Sequence, residues 1–394
     1  MGDFKFKLVF LCFSHTLLHV YTELPLALIP IIKSEYELPF LIVSLIVAIP
    51  RLSSLLLSIP SGLIADRFGA TKVISISLFL EFLAGVIILS TNSIEFIVLG
   101  FSLTSIASTL YHPPALSAAA NILPSNFRSR GMGFHGASGT LGVAIGPLTL
   151  GLVLNRFGWK YAYLVWIIPI LISIIVSIIV KIDFGINEGI KSKSDNSKVS
   201  VKSSFKEVLN SVFIFFLIIM LFRDAAGTSI STYITSYFTY ERGLDPAISS
   251  IIFGLSPLLG LISNLVGGFI GDKFGLRNSF TFIISMLILS IFGIIFSPSI
   301  YIIVLMYLTY GFFSSMTMPI TSSIVACIVK PEYRGTAYSL EFVPMSLIGI
   351  IMPVILSILI TSLGLSIIFI VAIVLYFIAL ALFINFGKYL QKGK

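Results

Sequence analysis

Long apolar runs separated by short polar segments make up most of this chain. Twelve of these runs are long enough to cross a bilayer as helices, which requires about 20 apolar residues each. Their approximate bounds are 5–32, 38–64, 72–91, 93–122, 130–155, 160–181, 207–240, 246–270, 277–297, 299–328, 335–361 and 364–387. Strands of a membrane barrel are about ten residues long and alternate apolar with polar positions. The pattern therefore predicts an all-α membrane protein with twelve transmembrane helices.

Composition and charge agree with a protein embedded in lipid. Hydrophobic residues make up 57% of the chain, charged residues 11%, and the mean hydropathy is +1.06. If the N-terminus lies in the cytoplasm, 19 of the 25 Lys and Arg residues fall in cytoplasmic segments and four fall outside. This bias predicts cytoplasmic N- and C-termini. The net charge of +8 is thus an insertion signal, and no nucleic-acid partner is expected.

A charged turn bounded by glycines occurs twice in the chain. The copies are Gly62-Leu-Ile-Ala-Asp66-Arg67-Phe-Gly69 and, 206 positions later, Gly268-Phe-Ile-Gly-Asp272-Lys273-Phe-Gly275. A repeat of about half the chain length indicates two similar bundles fused in one chain. A polar Lys- and Ser-rich segment separates them. We therefore predict pseudo-symmetric six-helix bundles at 1–182 and 207–394, joined by a cytoplasmic linker at 183–206.

The doubled turn resembles the cytoplasmic signature of the major facilitator superfamily, which occurs between helices 2 and 3 and again between helices 8 and 9. In helix 5, the glycine-proline pattern of drug/proton antiporters is resembled by Gly142, Gly146, Pro147 and Gly151. Ser14-His15 and Tyr111-His112-Pro113-Pro114 resemble the fosmidomycin-resistance branch of efflux pumps. The resemblance implies a transporter whose two charged turns form a latch on the cytoplasmic side. Turns that only end two helices are the alternative.

The four histidines all lie in predicted helices. His15, His19 and Glu23 recur at every fourth position and share one face of helix 1, which should avoid lipid and face a substrate cavity. His15 and His112 lie at similar depth near the membrane midplane, so we expect them beside one polar pocket. Histidine changes charge near neutral pH, which makes these residues candidates for proton coupling. Hydrogen bonding between helices is the alternative role, above all for His19 and His135.

Arg223 and Asp224 are a second charged group at mid-depth, in helix 7. Adjacent helical residues point about 100° apart, so each is expected to have its own partner. Candidates for Asp224 are Glu23, His19 and Arg51. The depths of Arg51 and Glu81 differ by about one turn, which favours a buried ion pair between them, with Arg51 facing the cavity as the alternative.

Five further residues are candidates for the cavity or a gate: Arg51, Tyr111, His135, Tyr233 and Glu341. Glu341 lies low in helix 11. It is interpreted either as a gate carboxylate or as a partner of Arg334.

These features favour a secondary active transporter that moves a small organic solute or drug by alternating access, as a proton-coupled exporter in the cell membrane. The expected partners are the lipid bilayer, a small-molecule substrate and protons, and a monomer is expected. No enzyme activity, cofactor or bound metal is expected. Transport of a transition metal through the membrane histidines is the alternative. An intramembrane metalloenzyme is more remote, because Thr16 stands where a His-Glu-x-x-His protease needs glutamate.

Overall fold

The computed structural model describes residues 3–124, 127–179, 208–330 and 333–390, and within these ranges it contains helices and no strand. Twelve helices in the described ranges are long and apolar enough to cross a membrane, which confirms the predicted fold class. In chain order, α1 to α12 are Asp3–Glu35, Phe40–Phe68, Ala70–Ser90, Ile94–Ile122, Arg128–Phe157, Tyr161–Ile179, Ser211–Ser236, Pro246–Phe274, Leu276–Phe296, Ile300–Ile328, Arg334–Leu363 and Ile367–Leu390. A short π-helical segment, Tyr237–Glu241, extends α7.

The chain forms two compact units. The first contains α1 to α6 together with Leu244–Gly254, which includes the start of α8. The second contains α7 and the rest of the chain from Leu255 onward. The predicted linker at 183–206 lies outside the described residues, so the predicted domain boundary stays a prediction.

The interior of the first unit is built around α1. Leu11, Leu17 and Leu24 have no exposed surface, whereas Leu152 on α5 is 76% exposed. Serines, threonines and histidines of this unit are buried at the same time. Apolar side chains on the outside and polar side chains between helices are the distribution that lipid requires.

Glycines of α5 bring that helix close to α1. A Cβ atom on Gly142 would lie 2.2 Å from the carbonyl oxygen of Thr16, and one on Gly146 would lie 2.4 Å from that of Val20. These distances are far below van der Waals contact, so any larger residue would push the helices apart. Gly142 and Gly146 of the helix 5 motif therefore pack α5 on the backbone of α1.

The internal repeat is visible in the helix bounds. α2 ends at Phe68 and α8 ends at Phe274, 206 positions later, and α3 and α9 begin with the same offset. One glycine makes each turn: Gly69 has φ 85° and Gly275 has φ 80°, which glycine adopts without strain. Both helices continue further than predicted, so Asp272 lies in the last turn of α8 and does not start the turn.

Candidate functional site

Three imidazole rings meet between α1 and α4 in the first unit. The Nε2 atoms of His15 and His112 are 3.3 Å apart, those of His15 and His19 are 3.2 Å apart, and those of His19 and His112 are 3.3 Å apart. His15 and His112 are therefore neighbours, as the expectation of a shared polar pocket requires. We name His15, His19 and His112 the histidine triad. Whether the triad borders a substrate cavity stays a prediction.

Backbone carbonyls hold two rings of the triad. His15 Nδ1 lies 2.8 Å from the carbonyl oxygen of His135 on α5, and His112 Nδ1 lies 2.6 Å from that of Ser108 on α4. Since a carbonyl only accepts, both Nδ1 atoms carry a hydrogen and donate it. Pro113 and Pro114 follow His112 within the continuous helix α4. The three Nε2 atoms are the atoms that could hold a metal ion.

Aromatic and hydroxyl groups pack around His15. The His135 ring stacks on it with centroids 4.3 Å apart, and the Tyr111 ring stacks on it at 5.8 Å. The Tyr111 hydroxyl donates to the carbonyl of Leu11 and lies 2.6 Å from the hydroxyl of Ser14. His135 is 1% exposed, and within the described part of the chain neither of its ring nitrogens has a hydrogen-bond partner. Tyr111 and His135 therefore belong to the wall of the triad.

The predicted ion pair between Arg51 and Glu81 is not formed. Glu81 has no exposed surface, and both of its carboxylate oxygens lack a hydrogen-bond partner among the described residues. Its electrostatic neighbours are Tyr21 and Tyr163, whereas Arg51 interacts with Glu23. The prediction is wrong because similar depth does not fix the direction in which a helix face points.

In the second unit, Arg223 and Asp224 pair with each other. Their Nη1 and Oδ1 atoms are 2.7 Å apart, and the side chains are 22% and 7% exposed. The expectation of separate partners is therefore wrong. A contact of Asp224 with Glu23, His19 or Arg51 of the first unit is untested and stays a prediction. The angle between adjacent side chains did not prevent pairing, because the long arginine side chain brings its guanidinium back to the neighbouring carboxylate.

Helices α10 and α11 complete this cluster. Arg223 Nη2 also donates to the hydroxyl of Thr317. Glu341 interacts electrostatically with Asp224 and Arg223, and Thr321 lies near its carboxylate. We name Arg223, Asp224, Thr317 and Glu341 the charged cluster. Arg334, the other partner considered for Glu341, instead donates to the carbonyls of Ala326 and Val329.

Two tyrosines of the second unit lie near Arg223, and a third joins two of its helices. The hydroxyls of Tyr310 and Tyr376 are 2.9 Å apart, and both rings interact electrostatically with Arg223. Tyr233, a predicted cavity residue, has no exposed surface and donates to the carbonyl of Pro353 on α11. Tyr233 therefore ties α7 to α11 in this structure.

The predicted latch residues are only partly described. The surroundings of Gly62 and of the Asp66 side chain lie outside the described part of the structure. In the second copy, Asp272 and Lys273 are exposed, and the Lys273 ammonium lies 5.4 Å from the ring centroid of Phe274. The latch stays a prediction.

Three residues of these sites were missed from the sequence. A Cβ atom on Gly139 would lie 2.5 Å from His15 Cε1, so this glycine makes room for the ring. Gly139 lies one turn before Gly142, so the spacing of glycines along α5 could have identified it from the sequence. Ser138 approaches His15 Nδ1 at 3.5 Å. Thr317 lies 206 positions after Tyr111, so the repeat could have found it.

Twelve membrane-capable helices and polar clusters buried within each unit define the class of multi-pass membrane transporters. A sequence model of the Major Facilitator Superfamily matches residues 11–312 and 216–389. The chain belongs to the major facilitator superfamily, and it is a multi-pass membrane transporter of that family.

Solved structures of transporters share the fold. A bacterial homolog of the human lysosomal transporter Spinster, in an inward-facing and unoccupied conformation, matches with a TM-score of 0.84 at 16% identity, over 100% of this chain and 99% of its own. A mutant of the nucleoside transporter NupG matches with a TM-score of 0.76 at 14% identity, over 98% and 99%. At these identities the similarity concerns the fold alone.

A weaker sequence match is to the riboflavin transporter RibZ of Clostridioides difficile (strain 630). The two are 19% identical over 104 residues, which is 26% of this chain. The match spans 23% of the length of RibZ. The antiporter and fosmidomycin-resistance branches expected from the sequence stay predictions.

Proposed function

We propose that this protein is a secondary active transporter of the cell membrane that exports a small organic solute in exchange for protons. It would act as a monomer and by alternating access, in which the two halves expose a site to each side of the membrane in turn. Membership of the superfamily and the inward-facing conformation of a structural neighbour support alternating access.

The charged cluster is the observation that carries proton coupling. Asp224 and Glu341 are two carboxyl groups in the interior of one bundle, and they share the single guanidinium of Arg223. One cation cannot neutralise two anions, and an uncompensated charge is expensive in this setting. A proton completes the charge balance of the cluster. The tyrosines 310 and 376 and the hydroxyls of Thr317 and Thr321 are the other polar groups that face it.

Proton uptake would change which arrangement of the helices is stable. With both carboxylates ionised, the cluster favours a hydrated environment, and with one protonated it tolerates a closed one. A difference in protonation free energy between two conformations couples the proton to the conformational change. Glu23, which interacts with Arg51, stays a further carboxylate that is predicted to take part in proton coupling.

Transport into proteoliposomes tests the proposal. Substrates are first selected by thermal shift from a panel that includes riboflavin, because RibZ transports it. Accumulation is then measured with an imposed pH gradient, with and without a proton ionophore. We expect the ionophore to abolish accumulation. Full accumulation after the gradient has collapsed would overturn proton coupling.

The Asp224→Asn variant resolves the role of the cluster. Asparagine imitates the protonated carboxyl, so substrate exchange should persist while gradient-driven accumulation is lost. Glu95→Gln is the matched control, because Glu95 is an exposed carboxylate at the start of α4 and should be dispensable. Equal accumulation by Asp224→Asn and wild type would remove Asp224 from the mechanism.

The doubled turn would supply the cytoplasmic latch of this cycle. Because Asp272 is exposed, Asp272→Asn should leave the melting temperature unchanged and lower the transport rate. Wild-type transport rates would leave only a helix-ending role for the turn.

A further inference from the structure

The histidine triad has the shape of a ligand set. Its three Nε2 atoms form a triangle with edges of 3.2, 3.3 and 3.3 Å, whereas the centroids of the rings are 4.8, 5.2 and 5.3 Å apart. Since the nitrogens are closer together than the rings, the rings fan out from a common centre. All three rings therefore point one nitrogen toward the same position.

The hydrogen-bond directions leave nitrogen lone pairs facing each other at this centre. The hydrogens of His15 and His112 are on Nδ1, where each is donated to a backbone carbonyl. In the neutral rings both Nε2 atoms then present lone pairs to each other at 3.3 Å, which is not a hydrogen bond. A hydrogen on His19 Nε2 can point to one of the two and leaves the other contact unsatisfied. An ion at the centre satisfies all three nitrogens at once.

The distances between the three Nε2 atoms favour one coordination geometry over another. With metal–nitrogen bonds of about 2.0–2.1 Å, tetrahedral coordination places ligand nitrogens about 3.3–3.4 Å apart. An octahedral site with similar bonds would place neighbouring nitrogens about 2.9–3.0 Å apart. The observed edges of 3.2 to 3.3 Å are closer to the tetrahedral value, which zinc and cobalt(II) adopt with imidazole ligands.

We propose that His15, His19 and His112 bind one divalent transition-metal ion of the zinc type, tetrahedrally, through their Nε2 atoms. The fourth position is left for a water molecule or another exogenous donor. The carbonyls of His135 and Ser108 orient two of the ligand rings, as second-shell acceptors do at zinc sites. The site would bridge α1 and α4 within the first unit. The triad would bind the metal ion whether or not the protein also carries this ion across the membrane.

Metal binding by the full-length protein in detergent tests the proposal. The protein carries no polyhistidine tag, is stripped with a chelator, and is loaded with Zn²⁺ or with Co²⁺. We expect one tightly held ion per chain after desalting, and intense visible absorption of tetrahedral Co²⁺. Absence of a retained ion, or the weak spectrum of octahedral Co²⁺, would overturn the proposal.

Single variants assign the ligands. His19→Gln and His112→Gln should each lower the affinity for Zn²⁺ by more than about 100-fold, since even second-shell changes cost about 10–100-fold. Glu95→Gln is the control, because it changes an exposed carboxylate at the start of α4 that lies outside the triad and its wall. Its affinity should stay within a few-fold of wild type. Equal affinity in all three variants would show that the ion binds elsewhere and would overturn the assignment.

Discussion

The histidine triad of the first unit and the charged cluster of the second occupy related positions in the internal repeat. Tyr111, in the wall of the triad, and Thr317, which accepts from Arg223, are 206 positions apart. His135, which stacks on His15, and Glu341, which interacts with Asp224, are separated by the same interval. These two pairs of polar residues thus lie at equivalent positions of the repeat, whereas the triad histidines and the Arg223–Asp224 pair do not.

The chemistry of the two clusters is opposite. The triad consists of three imidazoles whose Nε2 atoms converge, with no charged side chain among them. The charged cluster contains its own cation and one carboxylate in excess. The packing differs as well, because Gly139 and Gly142 of α5 are replaced by Met345 and Ile348 at the equivalent positions of α11. Repetition of the fold has therefore not preserved the residue types at its polar sites.

The largest effect is expected at Arg223. Arg223→Ala leaves Asp224 and Glu341 without their cation inside the bundle, which should cost about 3–5 kcal/mol of stability. The double variant Arg223→Ala/Asp224→Ala should melt at a higher temperature in detergent than the single variant. The counterparts of these residues in the first unit are Leu17 and Leu18, both buried. A double variant that melts lower than the single variant would show that the pair is not electrostatically coupled.

The close approach of α1 and α5 is tested by Gly142→Ala. The added Cβ atom would lie 2.2 Å from the backbone oxygen of Thr16, which cannot rotate away. We expect a loss of about 2–3 kcal/mol. Gly136→Ala on the same helix is the control, because its Cβ would meet nothing within 4 Å. Equal melting temperatures for the two variants would contradict the tight packing of the first unit.

Glu81 offers a stabilising variant. Its buried carboxylate oxygens have no hydrogen-bond partner among the residues that the structure describes, and the equivalent position of the second unit carries the buried residue Leu287. Glu81→Leu should therefore raise stability by about 1–2 kcal/mol, measured as melting temperature. Glu81→Gln serves as the polar control, because it keeps the volume of the side chain and replaces the carboxyl group with an amide. A lower melting temperature for Glu81→Leu would reveal a partner for Glu81.

The smallest effect is expected at Gly139. A Cβ atom there would lie 2.5 Å from His15 Cε1 and should displace the ring from the triad without removing a ligand. We expect the affinity for Zn²⁺ to fall by about 10-fold, as for a second-shell change. Gly136→Ala again serves as the control and should bind as wild type does. Unchanged affinity in Gly139→Ala would mean that His15 is not a ligand.

Much of the fold followed from local features of the sequence. Run lengths predicted twelve helices, and the doubled turn located Gly69 and Gly275 with their positive φ angles. Depth along a helix also follows from the sequence, which is why His15 and His112 were correctly expected to be neighbours. The direction in which a side chain points around the helix axis depends on packing. This direction decided the other pairings. Glu81 points toward Tyr21 and Tyr163, away from Arg51, for this reason.

The convergence of the triad could not be predicted from spacing. The interval between His15 and His19 puts both on one face of α1, but the third ring comes from another helix, 93 positions after His19. Its direction depends on the bond from His112 Nδ1 to Ser108 and on the room that Gly139 leaves for His15. The expectation that no metal is bound is untested, and the geometry of the triad argues against it.

X-ray absorption at the zinc edge of the zinc-loaded, full-length protein tests most directly whether the histidine triad binds a metal ion and the charged cluster does not. The account predicts about four light ligands at about 2.0–2.1 Å, three of them imidazoles. In His112→Gln the number of imidazoles should fall, and in Arg223→Ala the spectrum should match that of wild type. Six oxygen ligands, or an imidazole number that His112→Gln does not change, would contradict the account.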